Sequence, residues 1–450
     1  MPLNIKFMKK SKLELQKKNK NFHKYRRIKS FIFLFVSVST GVLPHFCGNK
    51  YSKPTILAFT FFVAFHGLVM IFNNLKRKSI NNSLLIENED YSQPVVDILV
   101  AARDEQNVIR KLTEMLLNLD YPEEKLNIYI IDDGSEDNTN QILQKLSETN
   151  KKLNIISRQK NAGGGKSGAL NYALQFTVGE WIFILDADAQ LKKDTLKRII
   201  SFALNQSLNA VQLRKSVINT NKNFLTTCQS IEMAMDAVFQ YGRLLISGVS
   251  ELRGNGQLIK KNILLDCGSF NEDTVTDDLD LSLRLMLSKS RIGILWDPPV
   301  MEEAVENLSA LFSQRQRWAE GGLQRFFDYG FQLIFGGISL SKKCDITYFF
   351  ILQYCLPIIS IADFITSLIF KNVPVYWPLS VSAFSLSALA SWYGIASKNE
   401  GPMLPKPNII RVFLFMIYLS HWFVVIPWVT LKMSLFSKKI LWKKTLHKGL

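Results

Sequence analysis

The 450-residue chain has few cysteines, and its central part has no histidine. The cysteines, at positions 47, 228, 267, 344 and 355, form no CxxC pair. Neither a structural zinc site nor a disulfide framework is therefore indicated. The histidines lie at positions 23, 45, 66, 421 and 447. This distribution argues against zinc chemistry or histidine-based acid–base catalysis in the middle of the chain.

A Walker A loop is also missing, although the stretch 161–174, NAGGGKSGALNYAL, looks like one. Such a loop needs a glycine five residues before the glycine of Gly-Lys-Ser, and counting back from Gly165 gives Lys160. A P-loop NTPase is thus excluded. The three glycines still allow a close backbone approach to an anion at a helix start, where Lys166 could reach a phosphate. The alternative is a glycine-rich turn with a solvated lysine.

Five long segments are nearly free of charge: 31–47, 55–72, 345–370, 375–396 and 412–431. About 20 mostly apolar residues are enough to cross a bilayer as a helix. We therefore predict an integral membrane protein with two transmembrane helices in 31–73 and two or three in 344–435. Residues 326–343 are too short to span, and we expect them to form an interfacial helix.

The net charge of +17 is concentrated in the tails, because residues 1–30 contribute +10 and residues 432–450 contribute +6. Beside apolar helices, basic segments such as 1–30 and 436–450 are better interpreted as positive-inside anchors on anionic lipid than as nucleic-acid-binding arms. A cytoplasmic N-terminus places residues 75–343 in the cytoplasm. Three further spans would put the basic tail outside, so either the last segment does not cross fully or the tail violates the rule.

The polar middle of the chain predicts an α/β fold. Apolar runs typical of strands alternate with helical periodicity; they lie at 95–102, 126–132, 153–157, 181–186 and 210–213. This alternation predicts a Rossmann-like, mostly parallel sheet with helices on both faces. Ligands of such sheets bind at the carboxyl ends of the strands.

Acidic residues follow three of these strands. Asp104 follows the first and Asp132-Asp133 the second, although Asp-Gly-Ser at 133–135 is also ordinary turn chemistry. Asp186 and Asp188 follow the fourth strand and, two residues apart, point to the same side. Two carboxylates in that arrangement suit Mg²⁺ or Mn²⁺ held together with diphosphate oxygens. A DxD pair alone is a weak signal, and its position after a strand strengthens it.

Two later motifs complete the candidate site. Asp277 and Asp278 stand at the start of a predicted helix, where a carboxylate can accept a proton from a hydroxyl or can simply cap the helix. In Gln314-Arg-Gln-Arg317-Trp318, the polar side chains could bind a diphosphate, and the tryptophan could stack on a sugar or a lipid headgroup. Taken alone, that pentad could equally be an amphipathic interface helix.

In this order, the motifs resemble those of the family 2 glycosyltransferases with a GT-A fold, over roughly residues 93–325. The resemblance implies an inverting enzyme in which Asp278 is the catalytic base next to Asp277. Asp186 would contact the ribose or the metal, and Asp188 the metal. Asp133 would bind the uracil and Asp104 would lie near the nucleoside. Lys166, Gln314, Arg317 and Trp318 would surround the diphosphate and the acceptor entrance.

The stretches 164–171, 251–257, 276–281 and 314–322 further resemble the cyanobacterial-type β-monoglucosyldiacylglycerol synthases. That resemblance implies transfer of glucose from UDP-glucose to 1,2-diacylglycerol, a membrane lipid. A processive polysaccharide synthase that exports its polymer remains the main alternative, since such relatives also carry Gln-x-x-Arg-Trp. A non-enzymatic membrane scaffold is a third hypothesis, weakened because every acidic position that the chemistry needs is present.

Overall fold

The structure is a computed structural model that describes residues 25–46, 49–74, 93–150, 152–436 and 449. Most of the basic segment 1–30 and of the basic tail 436–450 lies outside the described residues, as does Lys76–Lys78 of the predicted cytoplasmic return.

A seven-stranded sheet forms the centre of the polar domain, in the order β3-β2-β1-β4-β6-β5-β7. Only β6 runs antiparallel to its neighbours. The predicted α/β fold is therefore confirmed, and the strands are β1 (Val96–Ala102), β2 (Leu126–Asp132), β3 (Leu153–Ser157), β4 (Trp181–Leu185), β5 (Ala210–Val217), β6 (Gln257–Lys260) and β7 (Ile292–Glu302).

The strands are nearly continuous runs of valine, isoleucine and leucine because both faces of the sheet are buried. One core contains Ile98 and Phe183, and the core on the opposite face contains Leu99 and Ile184. The register pairs Ala102 of β1 with Asp132 of β2, and Val100 of β1 with Leu185 of β4. The carboxyl ends of these three parallel strands consequently meet at one edge.

Helices cover both faces of the sheet and connect it to the membrane helices. We name four of them: the loop helix Gly165–Ala173, the bridging helix Phe224–Ser247, the acidic helix Asp277–Leu287 and the long helix Leu308–Phe335. The others of the polar domain are Ile109–Leu117, Thr139–Thr149, Thr195–Asn205 and Lys261–Asp266. A capping box in which Asn223 and Thr226 exchange hydrogen bonds begins the bridging helix.

Five helices in the described part of the chain are long and apolar enough to cross a membrane: Tyr25–His45, Lys53–Asn73, Leu340–Phe370, Trp377–Ala396 and Ile409–Leu435. The last of them is divided into Ile409–Leu419 and Trp422–Leu435. The residues that we expected to form a separate interfacial helix belong partly to the long helix, which runs on to Phe335. Its final turns expose Phe331 and Phe335 to the surroundings.

Polar contacts attach the membrane helices to the polar domain. In the first helix, Arg26 donates to the Asp328 carboxylate of the long helix (Nε–Oδ1 2.9 Å) and to the backbone oxygen of Asp273 (2.7 Å). Asn74, at the end of the second helix, donates to the Val238 carbonyl of the bridging helix (2.9 Å). The beginning of the first helix and the end of the second therefore both lie against the polar domain.

Candidate active site

The glycine loop has the geometry that only glycine adopts easily. Gly163, Gly164 and Gly165 all have positive φ angles, of 82°, 73° and 56°. A Cβ atom at Gly164 would also overlap the Glu272 carboxylate. The loop helix begins at Gly165, so its free backbone N–H groups provide a partial positive charge there.

Lys166 lies in the first turn of the loop helix and forms an ion pair with Asp186. Burial acts to lower the pKa of Lys166, but the carboxylates of Asp186, Asp277 and Asp278 together raise it above its ordinary value. The lysine consequently stays charged, and acidic residues from two separate motifs lie within electrostatic reach of one ammonium group.

Asp186 and Asp188 follow β4 and line the same cavity, while Ala187 between them is also largely buried. The backbone N–H of Asp186 donates to Asn255 Oδ1 (3.1 Å), and Asp188 Oδ2 accepts from the backbone N–H of Glu303 (3.0 Å). These contacts fix the Asp186 backbone and the Asp188 carboxylate at the strand end. The described residues contain no cluster of three potential metal-ligating side chains, so an ion here would need oxygens from its substrate as well.

Asp277 and Asp278 occupy the first turn of the acidic helix. Burial, and next the negative charge of Asp277, raise the pKa of the Asp278 carboxyl to about 6. A base with a pKa near the working pH is effective, because it is largely deprotonated and still accepts a proton readily. Gly254, with φ of 85°, brings a backbone turn close to the Asp278 carboxylate.

The long helix presents Gln314, Arg317 and Trp318 to the cavity. Burial lowers the pKa of the Arg317 guanidinium, whereas Asp186 and Asp278 act in the opposite direction. Arg317 therefore interacts electrostatically with the carboxylates of both the strand end and the acidic helix. Its position suits the neutralisation of negative charge between them.

A single cavity of 590 Å³ joins these side chains. It is lined by eight of the ten site residues predicted from the sequence: Lys166, Asp186, Asp188, Asp277, Asp278, Gln314, Arg317 and Trp318. Its size is within the range of roughly 300–1,000 Å³ that is usual for small-molecule sites. The cavity is concave and combines a pair of carboxylates with the cations Lys166 and Arg317. These features are typical of a site for a phosphorylated ligand.

Comparison with known proteins identifies the family of this chain. The sequence profile described as "Glycosyltransferase like family 2" matches residues 94–321. A β-monoglucosyldiacylglycerol synthase of Synechocystis sp. is 40% identical over 359 residues, 79% of this chain and 75% of that protein. Another, of Nostoc sp., is 36% identical over 430 residues, 94% of this chain and 90% of that protein. The chain belongs to the family 2 glycosyltransferases.

A solved structure supports the fold of this glycosyltransferase. The mannosyltransferase PcManGT of Pyrobaculum calidifontis, in complex with GDP-Man and Mn²⁺, matches it with a TM-score of 0.59. The match covers 86% of this chain and 100% of that one at 19% identity. At such low identity the likeness concerns the fold alone, and the predicted GT-A fold is confirmed.

The other two predicted residues of this glycosyltransferase lie outside the cavity lining. Asp104 accepts from the backbone N–H of Glu136 (2.7 Å) and so ties the loop after β1 to the loop after β2. Asp133 pairs with Arg158 (2.5 Å), which also donates to the Gly163 carbonyl (2.8 Å). Burial raises the pKa of the Asp133 carboxyl despite the opposing charge of Arg158. Asp133 is thus connected to the glycine loop.

Sequence reasoning missed Arg158, although it directly follows β3 at the carboxyl edge of the sheet, where ligand-binding residues are expected. It also gave no role to the ELRGNGQ stretch, which supplies Glu251, Arg253 and Gly254 to the cavity. Glu251 pairs with Arg325 (3.0 Å) and Arg243 (3.3 Å). Nothing in the local pattern indicates these long-range ion pairs.

Arg315 in the Gln-Arg-Gln-Arg-Trp motif does not line the cavity. It is fully buried and pairs with Glu232 of the bridging helix (2.5 Å), and it lies 4.1 Å from the Trp318 ring centroid. Glu232 also accepts from Tyr418 and Trp422 of the last apolar segment (2.8 and 3.2 Å). The motif therefore has two functions, since alternate arginines serve the cavity and the membrane helices.

Two ionisable residues within the apolar segments, Asp363 and His421, would matter to an export channel if they lined it. Asp363 instead accepts the backbone N–H groups of Val375 and Tyr376 (both 2.9 Å) and pairs with His45 (2.7 Å). His421 contacts the Tyr418 carbonyl (2.6 Å). Both side chains join helix ends or turns, and neither lines the cavity.

Proposed function

We propose that this glycosyltransferase transfers glucose from UDP-glucose to the free hydroxyl of 1,2-diacylglycerol and forms β-monoglucosyldiacylglycerol. The names of its relatives from Synechocystis and Nostoc support this substrate pair. The observation that carries the chemistry is the single cavity that joins Asp278, with its raised pKa, to the Asp186–Asp188 pair. We take residues 93–325 as the catalytic domain.

Asp278 is the general base of this proposal. It accepts the proton of the acceptor hydroxyl while that oxygen attacks the anomeric carbon of glucose from the face opposite the diphosphate. The bond between the anomeric carbon and the UDP oxygen breaks in the same displacement, so the configuration inverts. Asp277 next to it keeps the pKa of Asp278 high enough for this proton transfer.

Cationic and polar groups receive the negative charge that develops on the leaving UDP. Lys166 and the amino end of the loop helix line the cavity, as do Gln314 and Arg317 of the long helix. Such preorganised charge is usually the largest single contribution to catalysis. Trp318 adds an aromatic surface at the acceptor side, while Asp133 and Asp104 are assigned to the uracil and the nucleoside.

Asp186 and Asp188 would hold a Mg²⁺ or Mn²⁺ ion. Their hard carboxylate oxygens fit such an ion, and diphosphate oxygens would complete the coordination that two side chains leave open. When bound, the ion would supply electrostatic stabilisation of the diphosphate leaving group. Lys166 pairs with the Asp186 carboxylate at the same place.

We place the catalytic domain on the cytoplasmic side and infer that the last apolar segment, Ile409–Leu435, does not cross fully. Before this segment, Glu400 pairs with Arg198 of the catalytic domain (2.9 Å). At its end, the Ser434 carbonyl accepts from Arg27 (3.2 Å), next to the residue that binds Asp328. Both ends thus lie on the catalytic side, which returns the basic tail to the side favoured by the positive-inside rule.

Product analysis with the purified full-length protein tests the function. It is incubated with diacylglycerol vesicles and UDP-glucose, UDP-galactose or UDP-N-acetylglucosamine, with and without chelator. We expect one β-linked glucose per lipid, loss of activity with chelator and recovery with added Mg²⁺ or Mn²⁺. A polymer, or a product without glycerolipid, would instead support the processive alternative.

A further inference from the structure

The catalytic cavity does not end at the carboxylates, because it continues between the membrane helices. This inner part, here called the chamber, is lined by aromatic and aliphatic side chains of three apolar helices: Phe349, Leu352, Phe384, Leu386, Trp422 and Phe423. Phe384 and Phe423 stack with ring centroids 5.5 Å apart. One continuous space therefore connects a charged reaction centre with an apolar compartment.

One polar side chain stands out in the chamber. Gln353 lies in the membrane helix Leu340–Phe370, is exposed to the cavity, and makes no side-chain hydrogen bond to any residue that the structure describes. The other polar side chains of these helices in the lining have partners; for example, Ser387 donates to Ala383 and Tyr348 to Val63. Because its amide group is exposed at the cavity, Gln353 can donate hydrogen bonds to a bound ligand and accept them from it.

The backbone is irregular at the same place. Residues Ile351–Cys355 form a π-helical turn inside the otherwise α-helical segment. Such turns are rare and frequently occur at functional sites. The turn carries Leu352, Gln353 and Tyr354, all of which line the cavity. Tyr354 is itself fixed, because it packs directly on Gly322 of the long helix.

We propose that the chamber binds the acceptor glycerolipid, with an acyl chain along its aromatic wall and an ester group hydrogen-bonded to the Gln353 amide. The inference rests on the proposed transfer to diacylglycerol and identifies where that lipid binds. A polysaccharide would leave most of its hydroxyls unpaired against this wall. An ester-linked lipid satisfies both the apolar lining and the lone amide.

The chamber should contribute more to the positioning of the lipid acceptor than to its binding affinity. Bilayer tails are as apolar as leucine side chains, so moving an acyl chain from lipid into the chamber gains little hydrophobic free energy. Fixing the ester at Gln353 instead restricts where the free hydroxyl of the same glycerol can lie relative to Asp278. Restriction of this kind is the source of proximity catalysis.

A matched pair of substitutions on the helix Trp377–Ala396 tests occupancy of the chamber. Ala383 lines the cavity, whereas Val381 is 53% exposed on the outer surface and does not. Ala383→Phe should lower kcat/KM for dioleoylglycerol about tenfold, since overfilling a packed space costs on the order of a tenfold factor or more. Val381→Phe should leave it unchanged. Equal effects of the two variants would overturn the proposal.

The polar contact is tested with an ester and an ether acceptor. Wild-type protein should prefer dioleoylglycerol to dioleylglycerol, which lacks the ester carbonyls, by roughly tenfold in KM, the worth of one well-placed hydrogen bond. Gln353→Leu should remove this preference and leave the KM for UDP-glucose unchanged. A preference that persists in Gln353→Leu contradicts the assignment of the amide.

The controls separate three outcomes. UDP binding, measured by titration, checks that each variant is folded; if Ala383→Phe fails this check, the smaller Ala383→Leu replaces it. If wild-type protein makes glucosyldiacylglycerol but chamber variants behave as surface variants do, the chamber proposal is wrong and the function stands. If wild-type protein makes no glucosyldiacylglycerol at all, the proposed function is wrong, and the chamber proposal is rejected with it.

Discussion

One wall of the cavity is charged, and the other is mainly apolar. The wall on the catalytic domain carries charged side chains held by short polar contacts, such as Asp188 with Glu303 and Lys166 with Asp186. The wall on the membrane helices consists mainly of ring and aliphatic contacts, such as Phe384 with Phe423. A water-soluble donor and a lipid acceptor can therefore each reach a compatible surface before they react.

The long helix joins the two walls and touches both. Arg317 lies near the carboxylates of Asp186 and Asp278, whereas Arg315 pairs with Glu232, which also accepts from Tyr418 and Trp422 of the last apolar segment. A Cβ atom at Gly321 would overlap Thr276, and one at Gly322 would overlap Tyr354. The relative position of the two walls therefore depends on the long helix. Substitutions in one wall should affect that wall alone, whereas substitutions in the long helix should affect both.

The largest effect should come from removing the base of the charged wall. Asp278→Asn should lower kcat by about 10²–10⁴-fold, because the amide cannot accept the proton of the hydroxyl. Binding of UDP-glucose should remain close to wild type in a calorimetric titration. A variant with a nearly normal rate would exclude Asp278 as the base.

The attachment of the first helix to the long helix should control stability. Arg26 and Asp328 are both buried, with side chains 6% and 5% exposed. Arg26→Ala leaves a buried carboxylate without its partner, which typically costs about 3–5 kcal/mol in the free energy of unfolding. Thermal unfolding in nanodiscs measures the loss.

A surface pair provides the control for Arg26. Arg110 and Glu114 form an i,i+4 pair with side chains 55% and 56% exposed. Arg110→Ala should change the free energy of unfolding by less than about 1 kcal/mol. If both arginine variants unfold at the same temperature, the buried pair is not what attaches the first helix to the catalytic domain.

Two glycines of the long helix, Gly321 and Gly330, test the packing between the two walls. Gly321→Ala should push Thr276 and the start of the acidic helix away, with a cost of about 1–3 kcal/mol and reduced activity. Gly330 has open space around its missing Cβ, so Gly330→Ala should be neutral or stabilising by about 0.5–1 kcal/mol. Chemical denaturation and initial rates together should separate these variants, and equal behaviour would contradict the packing described.

The smallest change concerns pH. Because Asp278 must be deprotonated to act, kcat/KM should fall as the pH drops through about 6, the raised pKa of this carboxyl. Asp277→Asn removes a negative charge that raises that pKa, so the acid limb of the profile should move to lower pH. An unchanged limb would mean that another group controls it.

The charged wall could largely be predicted from the sequence, and the apolar wall could not. Asp186 and Asp188 were found because the end of an apolar strand in an α/β pattern locates ligand groups without knowledge of the packing. Gln353 and Phe384 look like ordinary membrane residues, since only the arrangement of three helices makes them neighbours. β6, β7 and the bridging helix were not predicted. The bridging helix separates β6 from its antiparallel partner β5, so the local sequence does not indicate that pairing.

The most direct test of the account is photo-crosslinking with a diacylglycerol that carries a diazirine in one acyl chain. We expect labelled peptides that contain residues 348–357, 383–387 and 419–423, with labelling that unlabelled diacylglycerol competes away and that persists in Asp278→Asn. Labelling confined to outward-facing positions such as Val381 and Phe364, 53% and 55% exposed, would contradict the claim that the acceptor reaches the carboxylates from between the membrane helices.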